Sequence, residues 1–157
     1  MQNEESQPPT PPAYLRELTI KYRKKRVKNG APVDEPLIDP EQVAALFRDM
    51  EDEAKEKMVA ICLDAKLKVI CFEVVAIGTV NGIYGRPAEV LRAPIALNAY
   101  NVILVHNHPS GDPTPSPEDE TFTRELRRYM QGLGIRFCDH IIIGQGDYYS
   151  FSDAGVL

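Results

Sequence analysis

The sequence contains no apolar run that approaches the roughly 20 residues of a membrane-spanning helix. Its N-terminal segment, MQNEESQPPTPPAY, also lacks the basic and apolar regions of a secretory signal peptide. The three cysteines are an odd number without CxxC spacing, which argues against a disulfide scaffold or a zinc ribbon and favours buried free thiols. These absences predict a cytoplasmic protein with no membrane partner. The 157 residues, 43% of them hydrophobic, suffice for one domain with a substantial core.

Positive charge is concentrated in one N-terminal segment. Residues 13–28 include seven basic side chains and one acidic one, whereas the remainder of the chain has 11 basic and 22 acidic residues. Such a basic arm on an acidic body could bind nucleic acid or another acidic surface. The candidate nucleic-acid-binding residues are Lys21, Arg23, Lys24, Lys25 and Arg26. The simpler alternative is a solvated edge strand over residues 15–27, protected from further pairing by its lysines, because LTIKY alternates as a strand does.

Proline-rich, glycine-rich and charged stretches divide the chain into three parts. We predict a disordered leader over residues 1–12, a basic arm and linker over residues 13–37, and a folded domain over residues 38–157. No internal repeat is present in the sequence. The domain is therefore expected to hold the whole core.

Periodicity predicts helices and strands within that domain. Three helices are predicted. The first starts at the N-cap Asp39, the second spans about 87–99 with Pro94 inside, and the third spans 117 to about 133. The predicted buried stripe of the third helix is Phe122, Leu126, Tyr129, Met130 and Leu133. The strands are KMVAICL and KVICFEVV, joined as a hairpin by residues 64–66, then VILV and IRFCDHIII, and YYSFS closes the chain. Because hairpin strands are mixed with helix–strand alternation, the pattern predicts an α/β layered domain with a mixed sheet.

Two of the three histidines stand two residues apart directly after a predicted strand. His106 and His108 follow VILV, and alternate residues of an extended chain point to the same face, so both imidazoles should converge. Two convergent neutral imidazoles are good ligands for Zn²⁺, which in catalytic sites takes three protein ligands and keeps one position open. The plainer interpretation is a pair of hydrogen-bonded polar residues at a strand end.

Asp119 is the candidate third ligand, and it has a competing explanation. It follows a loop of turn-forming residues that could fold back onto the strand end after His108. Yet Ser116, Pro117 and Asp119 also form a helix-capping signature, with serine at the N-cap, proline at the first position and an acid at the third. The spacing alone leaves metal binding and helix capping open for Asp119.

Glu73 is a lone carboxylate on the apolar face of a predicted strand. Strict alternation in KVICFEVV places it on one face with a cysteine and two valines. A lone carboxylate there is costly unless it is paired or serves a cation. It is therefore either an edge residue with a partner such as Arg86 or Arg92, or a general base near a metal ion.

Taken together, these residues form a long and specific pattern. The pattern resembles the signature of the JAMM (MPN+/JAB) metallohydrolases. It reads His106-x-His108-Pro, then six residues, Ser116, two residues and Asp119. The wording HNHPSGDPTPS is similar to the bacterial RadC-like branch of that family. The flanking sequence also resembles that branch, so the resemblance covers roughly residues 38–157. The flanking stretches are FEVVAIGTVN and LNAYNVILVHNHPSG on the N-terminal side, and GIRFCDHIIIG and YSFSDAGVL on the C-terminal side.

The resemblance implies a fold and a set of roles. The fold is a mixed β-sheet flanked by helices, similar to the cytidine-deaminase architecture. His106, His108 and Asp119 would be the three ligands of a Zn²⁺ ion. Ser116 would help to stabilise the oxyanion, and Glu73 would be the general acid/base that acts on water. The deaminases' own signature of HxE plus PCxxC is absent from the sequence, which argues against base deamination.

The chain also departs from the family's pattern. Longer RadC proteins carry an N-terminal helix-hairpin-helix region, where this sequence has a short leader and a basic arm. The branch usually reads Pro-Arg-Glu ahead of its helix, whereas here Pro87 is followed by alanine and Arg86 precedes it. His140, in the wording CDH, recurs in the family and is expected to be structural or to support the ligands.

Three functions compete on these residues. The leading one is zinc-dependent hydrolysis of a peptide or isopeptide bond in a protein or peptide substrate. The alternative is a DNA-repair-associated protein that binds nucleic acid through the basic arm, since RadC-like proteins carry a DNA-repair label. A metal-free interaction module is disfavoured, because all three ligands and the glutamate are present. The sequence establishes neither the substrate nor the oligomeric state.

Overall fold

The computed structural model describes residue 15 and residues 17–26, 34–78 and 86–157. Within those ranges the chain forms three α-helices, one 3₁₀ helix and five β-strands. The helices are α1 (Pro40–Leu46), α2 (Pro87–Ala96) and α3 (Pro117–Gly132), and the 3₁₀ helix spans Arg48–Asp52. The strands are β1 (Lys57–Leu63), β2 (Val69–Ile77), β3 (Asn101–Asn107), β4 (Arg136–Ile143) and β5 (Tyr148–Ser150). The predicted leader over residues 1–12 lies outside the described residues.

The five strands form one mixed sheet in the order β2-β1-β3-β4-β5. β1 is antiparallel to both β2 and β3, β3 is parallel to β4, and β4 is antiparallel to β5. A parallel pair requires a crossover connection, and α3 supplies it between β3 and β4. The prediction of an α/β domain with a mixed sheet flanked by helices is confirmed.

Local hydrogen bonds explain where the first elements begin and turn. Asp39 caps α1, because its side chain accepts a hydrogen bond from the backbone N–H of Glu41 at 2.9 Å. In the predicted hairpin, Asp64 Oδ1 accepts from the backbone N–H groups of Lys66 and Lys68 at 2.8 and 3.0 Å. These short-range signals make the hairpin and the first helix readable from sequence.

Both faces of the sheet are buried. The face under α1 includes Val59, Ile61, Ile103, Val105 and Ile141. The face under α2 and α3 includes Ala60, Val102 and Leu104, which form one buried cluster with Leu126 and Met130 of α3. Each fully buried large aliphatic side chain contributes about 1.5–3 kcal/mol relative to an exposed one. Every residue of β3 is buried, so the strand that carries the histidine pair is held from both faces and both edges.

The basic arm differs from its prediction. Residues 17–26 are exposed and form no regular secondary structure, so the edge strand predicted over residues 15–27 is wrong for this part. A strand needs a neighbouring edge for its backbone hydrogen bonds, and no strand of the described sheet pairs with this segment. The Lys25 ammonium does lie 5.6 Å from the ring centroid of Phe72 on β2. Alternation in LTIKY was therefore not sufficient to make a strand.

The second helix is shorter than predicted. It ends at Ala96, with Pro94 inside its last turn. Beyond it, Asn98 has a φ of 51° and the backbone N–H of Ala99 donates to the Pro94 carbonyl at 2.9 Å. This left-handed residue ends the helix before the predicted boundary at Ala99.

The buried stripe of α3 is narrower than predicted. Its fully buried side chains are Thr123, Leu126 and Met130. Tyr129 is exposed by 43%, because it lies one position away from the line of contact with the sheet. Leu133 is exposed by 52%, at the C-cap where the helix has ended. The threonine that replaces them in the stripe has a polar role at the candidate site.

No helix among the described residues is long and apolar enough to cross a bilayer. All three cysteines are free, as expected. Cys62 is buried, whereas Cys71 and Cys138 are only half-buried. The expectation of buried thiols therefore holds fully for Cys62 alone.

Candidate metal centre

The histidine pair lies where β3 ends. His106 is the penultimate residue of β3 and is 1% exposed. His108 continues alongside β4, because its backbone N–H donates to the Ile143 carbonyl at 2.9 Å. The two Nε2 atoms are 3.0 Å apart. The predicted convergence of the two imidazoles is present.

Asp119 reaches the same place from the first turn of α3. The helix starts with a reciprocal capping box, in which Ser116 Oγ accepts from the Asp119 backbone N–H at 3.1 Å. In return, Asp119 Oδ2 accepts from the backbone N–H and the hydroxyl of Ser116 at 2.8 and 2.6 Å. The same carboxylate places Oδ1 3.3 Å from His106 Nε2 and Oδ2 3.3 Å from His108 Nε2. Capping and convergence with the histidines are therefore compatible, because the cap aims the carboxylate at the imidazoles.

The donor atoms fit a metal ion. One ligand atom from each of His106, His108 and Asp119 can be chosen so that all lie within 4.8 Å of one another. His108 Nδ1 lies 2.9 Å from the Asp112 carbonyl, which can only accept, so Nδ1 carries the proton and Nε2 of the neutral ring presents a lone pair. Lone pairs and carboxylate oxygens that face one small space repel each other unless a cation, either a proton or a metal ion, lies among them.

The pKa shifts of Asp119 and His108 agree with a site that attracts a cation. Burial opposes ionisation of Asp119, but the neighbouring imidazoles of His106 and His108, together with the Ser116 hydroxyl, outweigh it and hold the pKa of this carboxyl well below its usual range. Burial also opposes protonation of His108, yet hydrogen bonds to Asp119 and to the Asp112 carbonyl raise the pKa of this imidazole. Both shifts favour a negative carboxylate with a positive charge beside it. Protons and a metal ion must compete for this site.

The loop between His108 and Ser116 is held by the turn after β4. The Gln145 backbone N–H donates to the Gly111 carbonyl at 2.8 Å. A Cβ on Gly144 would lie 2.5 Å from that same carbonyl oxygen, so only glycine fits there. Gly111 itself has a φ of 84°, which also favours glycine. Sequence reasoning identified turn formers in this loop but not the close approach at Gly144.

Two buried polar residues, His140 and Thr123, lie on the Nδ1 side of the His106 ring. His140 Nε2 lies 2.8 Å from His106 Nδ1, and His140 Nδ1 lies 2.6 Å from Thr123 Oγ1. The His140 ring stacks on Phe151 with 4.9 Å between centroids and 8° between planes. Burial lowers the pKa of His140 well below its ordinary value. The sequence had indicated a supporting role for His140, whereas Thr123 was missed; a threonine in the apolar stripe four residues after Asp119 was the available signal.

Glu73 occupies a different part of the same face. It pairs with Ala60 on β1, which pairs with Leu104 on β3, two residues before His106. Two strand spacings and two residues along the strand correspond to about 12 Å between the Cα atoms of Glu73 and His106. Within the described residues, the group of ligands that could share one ion comprises the two histidines and Asp119, and Glu73 is not among them.

The Glu73 carboxylate has a partner of its own. Its Oε1 accepts a hydrogen bond from Arg92 Nη2, which is the pairing that the sequence had offered as an alternative to catalysis. Oε2 is buried and accepts no hydrogen bond from the described residues. Arg86, the other predicted partner, pairs with Glu89 at 3.1 Å instead. One oxygen of Glu73 is thus oriented by an arginine, and the other has no hydrogen-bond partner among the described residues.

Ser116 and the basic arm contain the remaining residues with predicted roles. Ser116 lies at the site, but its hydroxyl proton is directed to Asp119 Oδ2. The five basic residues of the arm, Lys21, Arg23, Lys24, Lys25 and Arg26, are exposed. The roles assigned to all of these residues remain predictions.

A mixed sheet whose central strand ends in a His-x-His pair, completed by the capping aspartate of the next helix, defines an α/β domain with a candidate metal centre. The chain belongs to the family of the RadC-like JAB domain, whose family model matches residues 37–156. Similar proteins carry the name UPF0758. The chain is 39% identical over 119 residues to one from Aquifex aeolicus, which covers 76% of this chain and 52% of the relative.

Two further relatives give the same picture. A UPF0758 protein of Methanosarcina acetivorans is 42% identical over 129 residues, covering 80% of this chain and 56% of the relative. One from Pelobacter propionicus is 40% identical over 141 residues, covering 89% of this chain and 60% of the relative. The chain thus spans about half to three-fifths of the length of the curated relatives it matches.

Proposed function

We propose that this protein is a zinc-dependent hydrolase of the JAMM type that cleaves a peptide or isopeptide bond in a protein or peptide substrate. The observation that carries the proposal is the convergence of His106, His108 and Asp119, whose ligand atoms lie within 4.8 Å of one another. Membership of the RadC-like JAB domain family supports it.

The donor set favours zinc over harder cations. Two imidazole nitrogens and one carboxylate oxygen are a ligand set of catalytic zinc sites, whereas Mg²⁺ and Ca²⁺ prefer oxygen ligands throughout. Three protein ligands leave one position for water or substrate. When bound, Zn²⁺ would act as a Lewis acid that lowers the pKa of water to about 7 and polarises a carbonyl group.

The chain's own residues supply the proton transfers. Glu73 receives the proton of the attacking water at its unengaged Oε2 and returns it to the leaving amine, while Arg92 holds Oε1. The backbone separation of about 12 Å leaves space for the reacting groups between Glu73 and His106. Ser116 donates a hydrogen bond from its hydroxyl to the oxyanion as the tetrahedral carbon forms, which requires the hydroxyl to turn away from Asp119 Oδ2.

The metal content of the protein tests this proposal. Protein purified without a histidine tag or added metal should contain about one zinc per chain by mass spectrometry, since three such ligands make one site. A panel of peptide and isopeptide substrates should be cleaved, and a chelator should abolish cleavage until zinc is returned. Absence of zinc even after zinc is offered would refute the metal centre. Bound zinc without turnover of any substrate in the panel would refute the hydrolase and leave the metal centre standing.

Nucleic-acid binding is the second candidate, and the exposure of the basic arm favours it. If the arm binds phosphates, affinity for duplex DNA should fall steeply with salt, by a slope of roughly 0.9 per phosphate neutralised. The test variant carries Arg23→Gln, Lys24→Gln and Lys25→Gln. A control variant with the same change in charge carries glutamine at three exposed arginines of α3, namely Arg124, Arg127 and Arg128. Fluorescence anisotropy should detect weaker binding and a smaller salt slope only in the arm variant; equal losses in both variants would exclude a specific role for the arm.

A further inference from the structure

A buried polar pair lies on the Nδ1 side of the His106 ring. His140 is 0% exposed and Thr123 is 3% exposed. We infer that Thr123 and His140 hold His106 in the tautomer whose Nε2 atom carries no proton, so that this nitrogen is available to a metal ion before the ion arrives. The inference rests on the metal centre of the proposed function and adds two positioning residues to it.

A backbone carbonyl determines where the hydroxyl proton of Thr123 lies. Thr123 Oγ1 lies 2.6 Å from the carbonyl oxygen of Asp119, one helical turn earlier. A carbonyl oxygen can only accept, so this contact requires the hydroxyl proton of Thr123. A hydroxyl has one proton, and at 2.6 Å from His140 Nδ1 the threonine oxygen can therefore only accept. His140 Nδ1 must carry a hydrogen.

The proton on His140 Nδ1 in turn determines the protonation of the His106 ring. A charged imidazole at a fully buried position without a carboxylate in contact is costly, so His140 carries a single proton. Because that proton is on Nδ1, His140 Nε2 accepts at 2.8 Å, and the donor is His106 Nδ1–H. His106 Nε2 is left with a lone pair that faces Asp119 and His108.

Each of the two histidine ligands is thus oriented by a hydrogen-bond path from its Nδ1 atom to a backbone carbonyl, and the two paths differ in length. His108 Nδ1 donates a hydrogen bond directly to the Asp112 carbonyl. His106 Nδ1 donates to His140, His140 to Thr123, and Thr123 to the Asp119 carbonyl. The longer path ends on the backbone of the residue whose carboxylate is the third ligand. A tautomer fixed in this way avoids the loss of affinity that follows when a metal-binding histidine loses its partner.

Removal of one hydroxyl tests the inference. Thr123→Val keeps the shape of the side chain but leaves His140 Nδ1 without an acceptor. His140 would then place its proton on Nε2 and donate to His106 Nδ1, which forces the His106 proton onto Nε2. Thr123→Ser keeps the hydroxyl and is the rescue variant. Thr121→Val, at an exposed threonine in the same helix, is the matched control.

Two measurements decide the outcome. Two-bond ¹H–¹⁵N spectra of the metal-free protein at alkaline pH should report a protonated Nδ1 on His106 in the wild type, and a protonated Nε2 in Thr123→Val. Competition for Zn²⁺ with a chromogenic chelator should show an affinity lower by roughly 10–100-fold in Thr123→Val. Affinities of Thr123→Ser and Thr121→Val should stay near that of the wild type.

Contrary results are equally clear. A protonated Nε2 on His106 of the wild type would overturn the inference, and so would a Thr123→Val variant with unchanged tautomer and affinity. If Thr123→Val does not fold, the wild-type spectrum alone decides. A wild type with the inferred tautomer that binds no zinc would refute the proposed hydrolase without refuting the tautomer.

Discussion

Replacement of Asp119 with asparagine should remove zinc from the protein and leave the α3 helix cap in place. The amide oxygen of asparagine can still accept from the Ser116 backbone N–H, as the carboxylate does at 2.8 Å. The substitution removes the negative charge that faces the two Nε2 atoms at 3.3 Å. Zinc affinity should therefore fall by more than the roughly 10–100-fold that loss of a ligand's partner costs. Chelator competition and metal content measure this directly.

Ser116→Ala is the matched control for the capping role of the same pair. It removes the hydroxyl that accepts from the Asp119 backbone N–H but keeps the carboxylate. The free energy of unfolding of the metal-free protein should fall by about 1 kcal/mol, as for other lost caps, while most of the zinc is retained. If Asp119→Asn kept full zinc and lost only stability, Asp119 would be a cap and not a ligand.

This double role of Asp119 marks the limit of what spacing could predict. A capping box and a ligand position coincide in sequence because a cap aims its acidic side chain back past the helix start. Which groups lie in that direction depends on the path of the loop after His108. That path is set by the close approach of Gly144 to Gly111, a contact between segments far apart in the chain.

The elements predicted correctly are those defined by short-range signals. The turn after Asp64, the N-cap at Asp39 and the apolar centre of β3, VILV, each follow from a few neighbouring residues. The basic arm failed as a strand because alternation specifies a face but no partner edge. Thr123 was missed for a related reason, since its role depends on His140 from a different strand.

Replacement of Glu73 with glutamine should abolish turnover and leave zinc bound. Glutamine keeps the size of the side chain and an oxygen near Arg92, but it cannot take a proton from water at neutral pH. Loss of a general acid/base typically costs 10²–10⁴-fold, so kcat on any substrate cleaved by the wild type should fall by roughly that factor. Zinc content should not change, because Glu73 lies outside the ligand group.

Glu89→Gln is the control for Glu73→Gln, because Glu89 on α2 is likewise paired with an arginine. Its neighbour Arg86 holds it at 3.1 Å on the helix surface, and it should be dispensable for turnover. Full activity of Glu73→Gln combined with loss of activity in Glu89→Gln would transfer the proton-transfer role to the helix. Loss in Glu73→Gln alone would assign that role to the strand, where Oε2 is buried and has no hydrogen-bond partner among the residues that the structure describes.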